Sequence, residues 1–231
     1  MKEKILIIEP HSDDSMIGMG GYLLRFREQF DFHFLLLTQS DVVLNHAGLV
    51  KKQTRGEEYE NFVEYFAGRW ITEVAAVPGV RLPMDCDGRL DTCDYPMLVR
   101  IIEHAIAEVR PAKLFCCWPS FHQDHSTAYR ATISATRPTA GYCPKEIYFY
   151  ENPTYVHEAP SDFPARPTYF VELDLPTLQL KLSIIQSLFP SQSRDSGNVL
   201  SSSGIEAWAR YRGIEARTAY AEAFFCLRQT I

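Results

Sequence analysis

The sequence predicts an α/β domain with a mainly parallel sheet, and three observations carry that prediction. Short, β-branched-rich apolar runs alternate with stretches of helical periodicity along the chain. Phe32 to Thr38 is apolar almost without a break, as in strands that parallel sheets cover on both faces. No repeat or low-complexity linker divides the 231 residues, of which 46% are hydrophobic and 23% charged, so residues 1–231 are expected to form one domain.

Lys4 to Glu9 reads as the first strand and ends at a Pro-His turn, and Asp13 to Phe26 then has helical composition. Phe32 to Thr38 completes a β-α-β unit, and Ser40 to Gly48 reads as a polar loop. Lys51 to Phe66 intersperses four glutamates with Tyr59, Phe62, Val63 and Phe66, the spacing of an amphipathic helix that closes near Gly68. Trp70 to Val77 is a third strand candidate. Pro96 to Val109 places Leu98, Ile101, Ile102, Ala105 and Ile106 on one helical face, Pro111 stops it, and Lys113 to Trp118 follows as a strand. Ser126 to Thr136 is a helix, Glu146 to Tyr150 and Thr168 to Leu173 are strands, and Pro176 to Leu188 and Ile205 to Arg212 are helical. Ser187 to Ser203, rich in serine with Pro190 and Gly197, reads as a mobile loop and a candidate lid.

Composition narrows the function classes. With 23 Lys+Arg against 29 Asp+Glu and a net charge of -6, a broad electrostatic footprint for nucleic acid or anionic membrane is not expected. No apolar run approaches the roughly 20 residues of a membrane span, and the first residues are too short for a secretory h-region, so a cytoplasmic protein is expected. The six cysteines show no CxxC spacing, which argues against a zinc ribbon, a redox pair or a disulfide framework. Gly18, Gly20 and Gly21 do not form a GxGxxG with a downstream acid, so no nucleotide cofactor is expected; they suit close packing of the first helix. His33 and His104 fall within a strand and a helix and read as structural, whereas His46 and His157 fall in loops.

Two polar clusters sit where open α/β sheets bind ligands, beyond the carboxyl ends of strands. Pro10-His11-Ser12-Asp13-Asp14-Ser15 follows the first strand, and His122-Gln123-Asp124-His125 lies a few residues beyond Trp118. Taken alone, the first reads as readily as a turn with a helix N-cap, and the second as readily as a surface loop, as either reads as a site. Together they suggest a divalent metal site, because two imidazoles and a carboxylate leave positions open for water and substrate. On zinc the pKa of a bound water falls to about 7, and of the adjacent Asp13 and Asp14 one can act as ligand and the other as base. A non-haem iron oxygenase using His122-x-Asp124 with His157 would call for a double-stranded β-helix, which the alternating helices contradict.

These clusters, with Gly18 and Gly20-Gly21 in the following helix and Trp118-Pro119 before the second motif, resemble the LmbE-like or PIG-L family of N-acetylglucosaminyl de-N-acetylases. Arg55-x-x-Glu58, Asp87-Gly88-Arg89-Leu90, Ser191-Gln192 and Ala221-Glu222-Ala223-Phe224 resemble weaker family features. The resemblance implies a Rossmann-like, mostly parallel sheet sandwiched by helices, carrying a zinc-dependent N-deacetylase; iron(II) or cobalt(II) would satisfy the same donors. His11, Asp14 and His125 match the metal ligands. Asp13 matches the general base that activates the attacking water, His122 the histidine that stabilises the oxyanion or acts as general acid, and Asp124 the carboxylate that orients it. The pairing of Asp124 with His122 is expected to favour imidazolium. Arg55 matches an arginine that reaches substrate hydroxyls or phosphate, its plainer reading being an i,i+3 pair with Glu58, and Asp87 matches a sugar-binding acid. Tyr142, Tyr148, Tyr150 and Trp118 read as core or as a stacking wall for a sugar ring.

The implied substrate is an N-acetylated amino sugar or a conjugate of one, released as acetate and free amine. The sequence departs from the family signature His-Pro-Asp-Asp-Glu at Ser12 and Ser15, and position 120 is Ser whereas some members use a Tyr or Asp nearby. Ser15 is what favours the alternative, a non-catalytic carbohydrate-binding or regulatory member of the same fold. Neither the oligomeric state nor the sugar is specified by any of these features.

Overall fold

The computed structural model describes residues 2–86, 88–154, 166–195 and 197–230. Seven strands form the central sheet in the order β5-β2-β1-β6-β7-β9-β8. The first five of these are β5 (Arg69–Trp70), β2 (Phe30–Leu36), β1 (Glu3–Glu9), β6 (Lys113–Cys117) and β7 (Glu146–Tyr150), all mutually parallel. The last two, β9 (Tyr220–Gln229) and β8 (Tyr169–Leu173), join antiparallel. Among the described residues six helices accompany the sheet: α1 (Asp14–Phe26), α2 (Lys52–Tyr65), α3 (Tyr95–Val109), α4 (Gln123–Ala135), α5 (Leu175–Leu188) and α6 (Ser202–Ala216). A two-stranded hairpin, β3 (Val42–Leu44) with β4 (Gly48–Val50), stands outside the sheet. The mostly parallel, helix-flanked α/β architecture is the one the sequence predicts. No helix among the described residues is long and apolar enough to cross a membrane.

The core follows from the apolar runs. Ile5 to Ile8 and Phe34 to Leu37 are fully buried, and α3 turns Leu98, Ile101, Ile102 and Ala105 inward with no exposure at all. Asp94 caps α3 by accepting from Met97 N, Pro96 occupies its first turn, and Arg110 closes it in the left-handed region. Tyr148 and Tyr150 are core residues, Trp118 stacks on Phe225 at 3.8 Å, and the Tyr142 hydroxyl donates to Pro111 O; the aromatic run is packing and not a sugar wall.

Four segments differ from expectation. Of the Trp70 to Val77 run only Trp70 ladders, together with Arg69 before it, because the chain then turns through Val77 N to Val74 O and the Pro78-Gly79 bend. The polar loop at 40–48 contains β3, which pairs Val43 with Leu49 while leaving both exposed. The 187–203 segment is not one loop: α5 runs to Leu188, a 3-10 turn covers Pro190–Gln192, and α6 starts at Ser202. The turn is pinned by the Glu58 carboxylate, which accepts from Ser191 N at 2.8 Å and Ser191 Oγ at 2.6 Å. Finally, β9 inserts between β7 and β8; its Tyr-Ala-Glu-Ala start has the composition of a helix as much as of a strand.

Helix α1 is broken at Met19 (φ −142°, ψ 20°), and a buried ion pair absorbs the freed backbone groups. Lys181 Nζ donates to Ile17 O at 2.6 Å and to Glu222 Oε1 at 2.7 Å, while Glu222 accepts from Gly21 N and Tyr22 N, each at 2.7 Å. Gly18 and Gly21 let this helix lie against the sheet: a methyl on Gly18 would collide with the Glu151 carbonyl, and one on Gly21 would meet Leu173 at 2.6 Å. Glu222→Ala should strand the buried Lys181 charge and two N–H groups, lowering stability by about 3–5 kcal/mol in urea unfolding. A loss under about 1 kcal/mol would contradict that role.

Candidate functional site

The strand order reverses at β1, whose neighbours β2 and β6 lie on opposite sides, so a crevice opens at the carboxyl ends of β1 and β6. Ile8 is in register with Cys116, which brings Pro10-His11 beside the segment that leaves β6. The two sequence motifs therefore meet. His11, Asp13, Asp14, His122 and His125 all line one cavity of about 210 Å³, joined by Gln39, Arg55, Gly88, Asn152, Gln192 and Arg194.

Asp14 opens α1 and is 2% exposed. Its Oδ2 accepts from His11 N at 2.9 Å and lies 3.3 Å from His11 Nδ1; its Oδ1 lies 3.2 Å from His125 Nε2 and accepts from Asn152 Nδ2 at 3.2 Å. Burial disfavours its charge, but His125 and His11 outweigh burial and hold the carboxyl well below the usual range. The outer nitrogens of these two rings are also fixed: His11 Nε2 sits 2.9 Å from Asp124 Oδ2, and His125 Nδ1 3.0 Å from Ser120 Oγ. For His11, burial is opposed by hydrogen bonds to Asp124 and Asp14, which lift it to about 9.

Asp124 is fully buried, with Oδ1 accepting from Leu90 N at 2.8 Å. Its carboxylate thus orients His11, and the expectation that it orients His122 is corrected. Only the Asp124 backbone N–H reaches His122, donating to Nδ1 at 3.3 Å where His122 caps α4. Burial, then the charges on His11 and His125, push His122 down to about 4, a direction opposite to the one expected for an imidazolium.

Asp13 occupies the N-cap position of α1 yet makes no capping hydrogen bond with its side chain, which faces the cavity. Burial and the adjacent Asp14 raise its pKa, with Arg55 and His11 acting against them. Arg55, 7% exposed, donates to Ser40 O at 3.4 Å, and its Nε has no partner among the described residues. It does not form the i,i+3 pair with Glu58, which instead holds Ser191. Asp87 and His157 lie outside the described residues.

One nitrogen from each of His11, His122 and His125 falls within 4.8 Å of the others, a spacing that a single metal ion can bridge. The set fits a divalent ion on two further grounds. Asp14 places a buried carboxylate between His11 Nδ1 and His125 Nε2, and the far nitrogen of each ring is held by an acceptor, the arrangement that fixes imidazole ligands on metals.

Sequence reasoning missed Asn152, Glu9 and Tyr59. Glu9 is fully buried; it accepts from Ser15 N at 3.2 Å and from the Tyr59 hydroxyl, so a carboxylate stands beside position 15 although Ser15 supplies none. Its place at the end of an apolar strand was the available signal. Burial raises Glu9 from the ordinary 4.5 to about 8, against the opposing Ser15 and Tyr59 hydrogen bonds. Folding then takes up a proton, and the stability associated with it is full below pH 4.5 and lost as pH climbs to 8. Glu9→Gln should therefore gain on wild type by up to about 1.4 kcal/mol per pH unit across that window in urea unfolding, with no further gain above it. Parallel stability curves would contradict this.

A family model described as PIG-L, GlcNAc-PI de-N-acetylase, matches residues 6–136. Among solved structures, a conserved protein from Thermus thermophilus aligns with TM-score 0.71 at 20% identity, over 99% of this chain and 96% of its own. N,N'-diacetylchitobiose deacetylase from Pyrococcus horikoshii, complexed with an inhibitor, aligns with TM-score 0.69 at 18% identity, over 97% and 84%. The 4-carboxy-2-hydroxymuconate hydratase GalB from Pseudomonas putida aligns with TM-score 0.70 at 17% identity, over 100% and 98%. At these identities the likeness is one of fold. No curated protein matches this chain.

Proposed function

This chain belongs to the PIG-L family of GlcNAc-PI de-N-acetylases, and from that premise we propose that it hydrolyses the N-acetyl amide of an amino sugar or amino-sugar conjugate, using a divalent ion, zinc in the first instance. The observation that carries this reading is the meeting of both sequence motifs in one cavity, with an uncommitted carboxylate, Asp13, beside the histidine and Asp14 donors. The diacetylchitobiose deacetylase among the fold relatives supports a sugar-type substrate.

Amide hydrolysis needs a nucleophile, a partner for the developing oxyanion and a proton for the departing nitrogen. His11, Asp14 and His125 would hold the ion, which when bound polarises the acyl oxygen and acidifies a water. Asp13 takes a proton from the attacking water as the new C–O bond forms, and returns it to nitrogen as the C–N bond breaks, giving acetate and the free amine. A raised pKa suits a carboxyl that must carry that proton between steps. His122, whose Nδ1 accepts from the Asp124 backbone N–H, donates Nε2–H to the oxyanion, and the proton transfer falls to Asp13. Asp124 and Ser120 act through His11 and His125, fixing their rings. Arg55 and Asp87 are assigned to the sugar. Retention of Asp13 favours turnover over binding alone, since its carboxylate is not among the donors that would hold the ion.

The test is acetate and amine release from a panel of N-acetyl amino sugars by the purified chain. Stoichiometric appearance of both products from at least one sugar is expected. A protein that carries ion and binds these sugars but releases neither product would favour the non-catalytic reading.

A further inference from the structure

The chain that leaves β7 for the cavity is fixed from behind. Tyr150 O accepts from Trp118 N at 2.8 Å, and Gly18 of α1 packs so closely that a methyl there would fall 2.4 Å from Glu151 O. The Glu151 side chain, 3% exposed, reaches α6, where it accepts from Trp208 Nε1 at 3.0 Å and from Arg212 Nε at 2.9 Å. Arg212 Nη2 meets the other carboxylate oxygen, so the pairing is bidentate, and the guanidinium lies over the Trp208 ring at 4.9 Å. A buried pair anchored in this way ties the backbone at residue 151 to α6 while α1 packs against its other side.

Asn152 is the next residue; it is buried and lines the cavity. Its Oδ1 accepts from Thr154 N at 3.1 Å and its Nδ2 donates to Asp14 Oδ1 at 3.2 Å. Only this orientation of the amide serves both neighbours, because a flip would set oxygen against carboxylate and N–H against N–H. Asp14 thus receives one amide N–H on each oxygen, from Asn152 Nδ2 on Oδ1 and from His11 N on Oδ2. His125 Nε2 and His11 Nδ1 face the same two oxygens. An imidazole nitrogen that gives its lone pair to an ion carries no proton to offer a carboxylate. With an ion held by these rings, the two amide donors still orient Asp14, and an amide does not lose its protons in the working pH range.

We propose that Asn152 is a positioning residue: its hydrogen bond to Asp14 Oδ1 sets the direction in which that carboxylate faces the ion, and the Glu151–Arg212 pair holds Asn152 in place from α6. The inference rests on the reading in which His11, Asp14 and His125 hold a divalent ion. Asn152, Trp208 and Arg212 all lie beyond residues 6–136, where the family model matches, so the ion site is completed from a later part of the chain. Asn152 acts through Asp14, so its loss is felt in ion affinity and not in KM for the sugar.

The experiment measures the zinc affinity of the full chain by competition with a chromogenic chelator, and the visible absorption of its cobalt(II) form, for wild type, Asn152→Leu and Asn152→Ser. Leucine is close to asparagine in size and removes both hydrogen bonds. A serine hydroxyl can still accept from Thr154 N two residues on, yet stops short of Asp14. Both variants are expected to weaken zinc affinity by about tenfold or more and to change the cobalt(II) spectrum. The unfolding midpoint of ion-free Asn152→Ser should match wild type, and at saturating zinc its KM for a deacetylated sugar should too. Wild-type affinity and spectrum in Asn152→Ser would mean that Asn152 serves the turn alone, and would overturn the inference. A raised KM with unchanged zinc affinity would overturn it as well, by making Asn152 a substrate contact. Should Asn152→Leu fail to fold, Asn152→Ser decides alone. Affinity and spectrum need no turnover, so the inference is decided even if no sugar is deacetylated. A wild type that holds no divalent ion overturns the ion reading and this inference together, whereas one that holds it, with both variants unaffected, overturns the inference alone.

Discussion

Asp13→Asn is expected to lower kcat by roughly 10²–10⁴-fold while leaving the bound ion in place, the range for removing a positioned general base. The side chain is nearly isosteric and carries no cap to lose, because Asp13 sits at the start of α1 without bonding its N–H groups. The ion-holding contacts pass through Asp14, His11 and His125, so ion content measured by plasma mass spectrometry should match wild type. KM should change little, since the carboxylate acts on water and the leaving nitrogen. Wild-type turnover by Asp13→Asn would remove it as the base, and loss of ion would make it a ligand.

His11→Ala should do the reverse and abolish ion binding and with it activity. The ring is wedged between two buried carboxylates, Asp14 and Asp124, so its removal deletes a donor and leaves both acids facing each other. Stability should fall as well, which would confuse the readout if this variant stood alone. Asp124→Asn separates the two effects. It keeps the imidazole and the Leu90 N–H acceptor but loses the charge that fixes the ring, and should weaken ion affinity by about 10–100-fold with the fold intact. If instead Asp124→Asn left the affinity unchanged and altered only the pH dependence of turnover, Asp124 would serve His122 after all.

The parts of this molecule legible in sequence are those in which local pattern and tertiary structure agree. Strands β1, β2, β6 and β7 are apolar runs bounded by turns, and α3 has a one-sided apolar face with a cap and a stop. The site clusters were legible because both follow parallel strands, even though their adjacency depends on the reversal of strand order at β1. What escaped depends on long-range pairing. Strand β9 starts with residues that also favour helices and becomes a strand through β7 and β8. The partner of Asp124 is His11, 113 residues away, although His122 is next but one in sequence. Glu58 follows the same rule, passing over Arg55 one turn earlier for Ser191, and so joins two sequence features that look unrelated in one dimension.

The most direct measurement of the central claim is acetate release from a substrate of the panel by one protein sample taken through chelation and reconstitution, with ion content determined at each stage. Release that disappears with the ion and returns in proportion to zinc, or to iron(II) or cobalt(II), restored to about one per chain is the expected result. Release that persists at full rate after the ion has been stripped would contradict the account, because nothing in the His11, Asp14 and His125 constellation would then be needed for the chemistry.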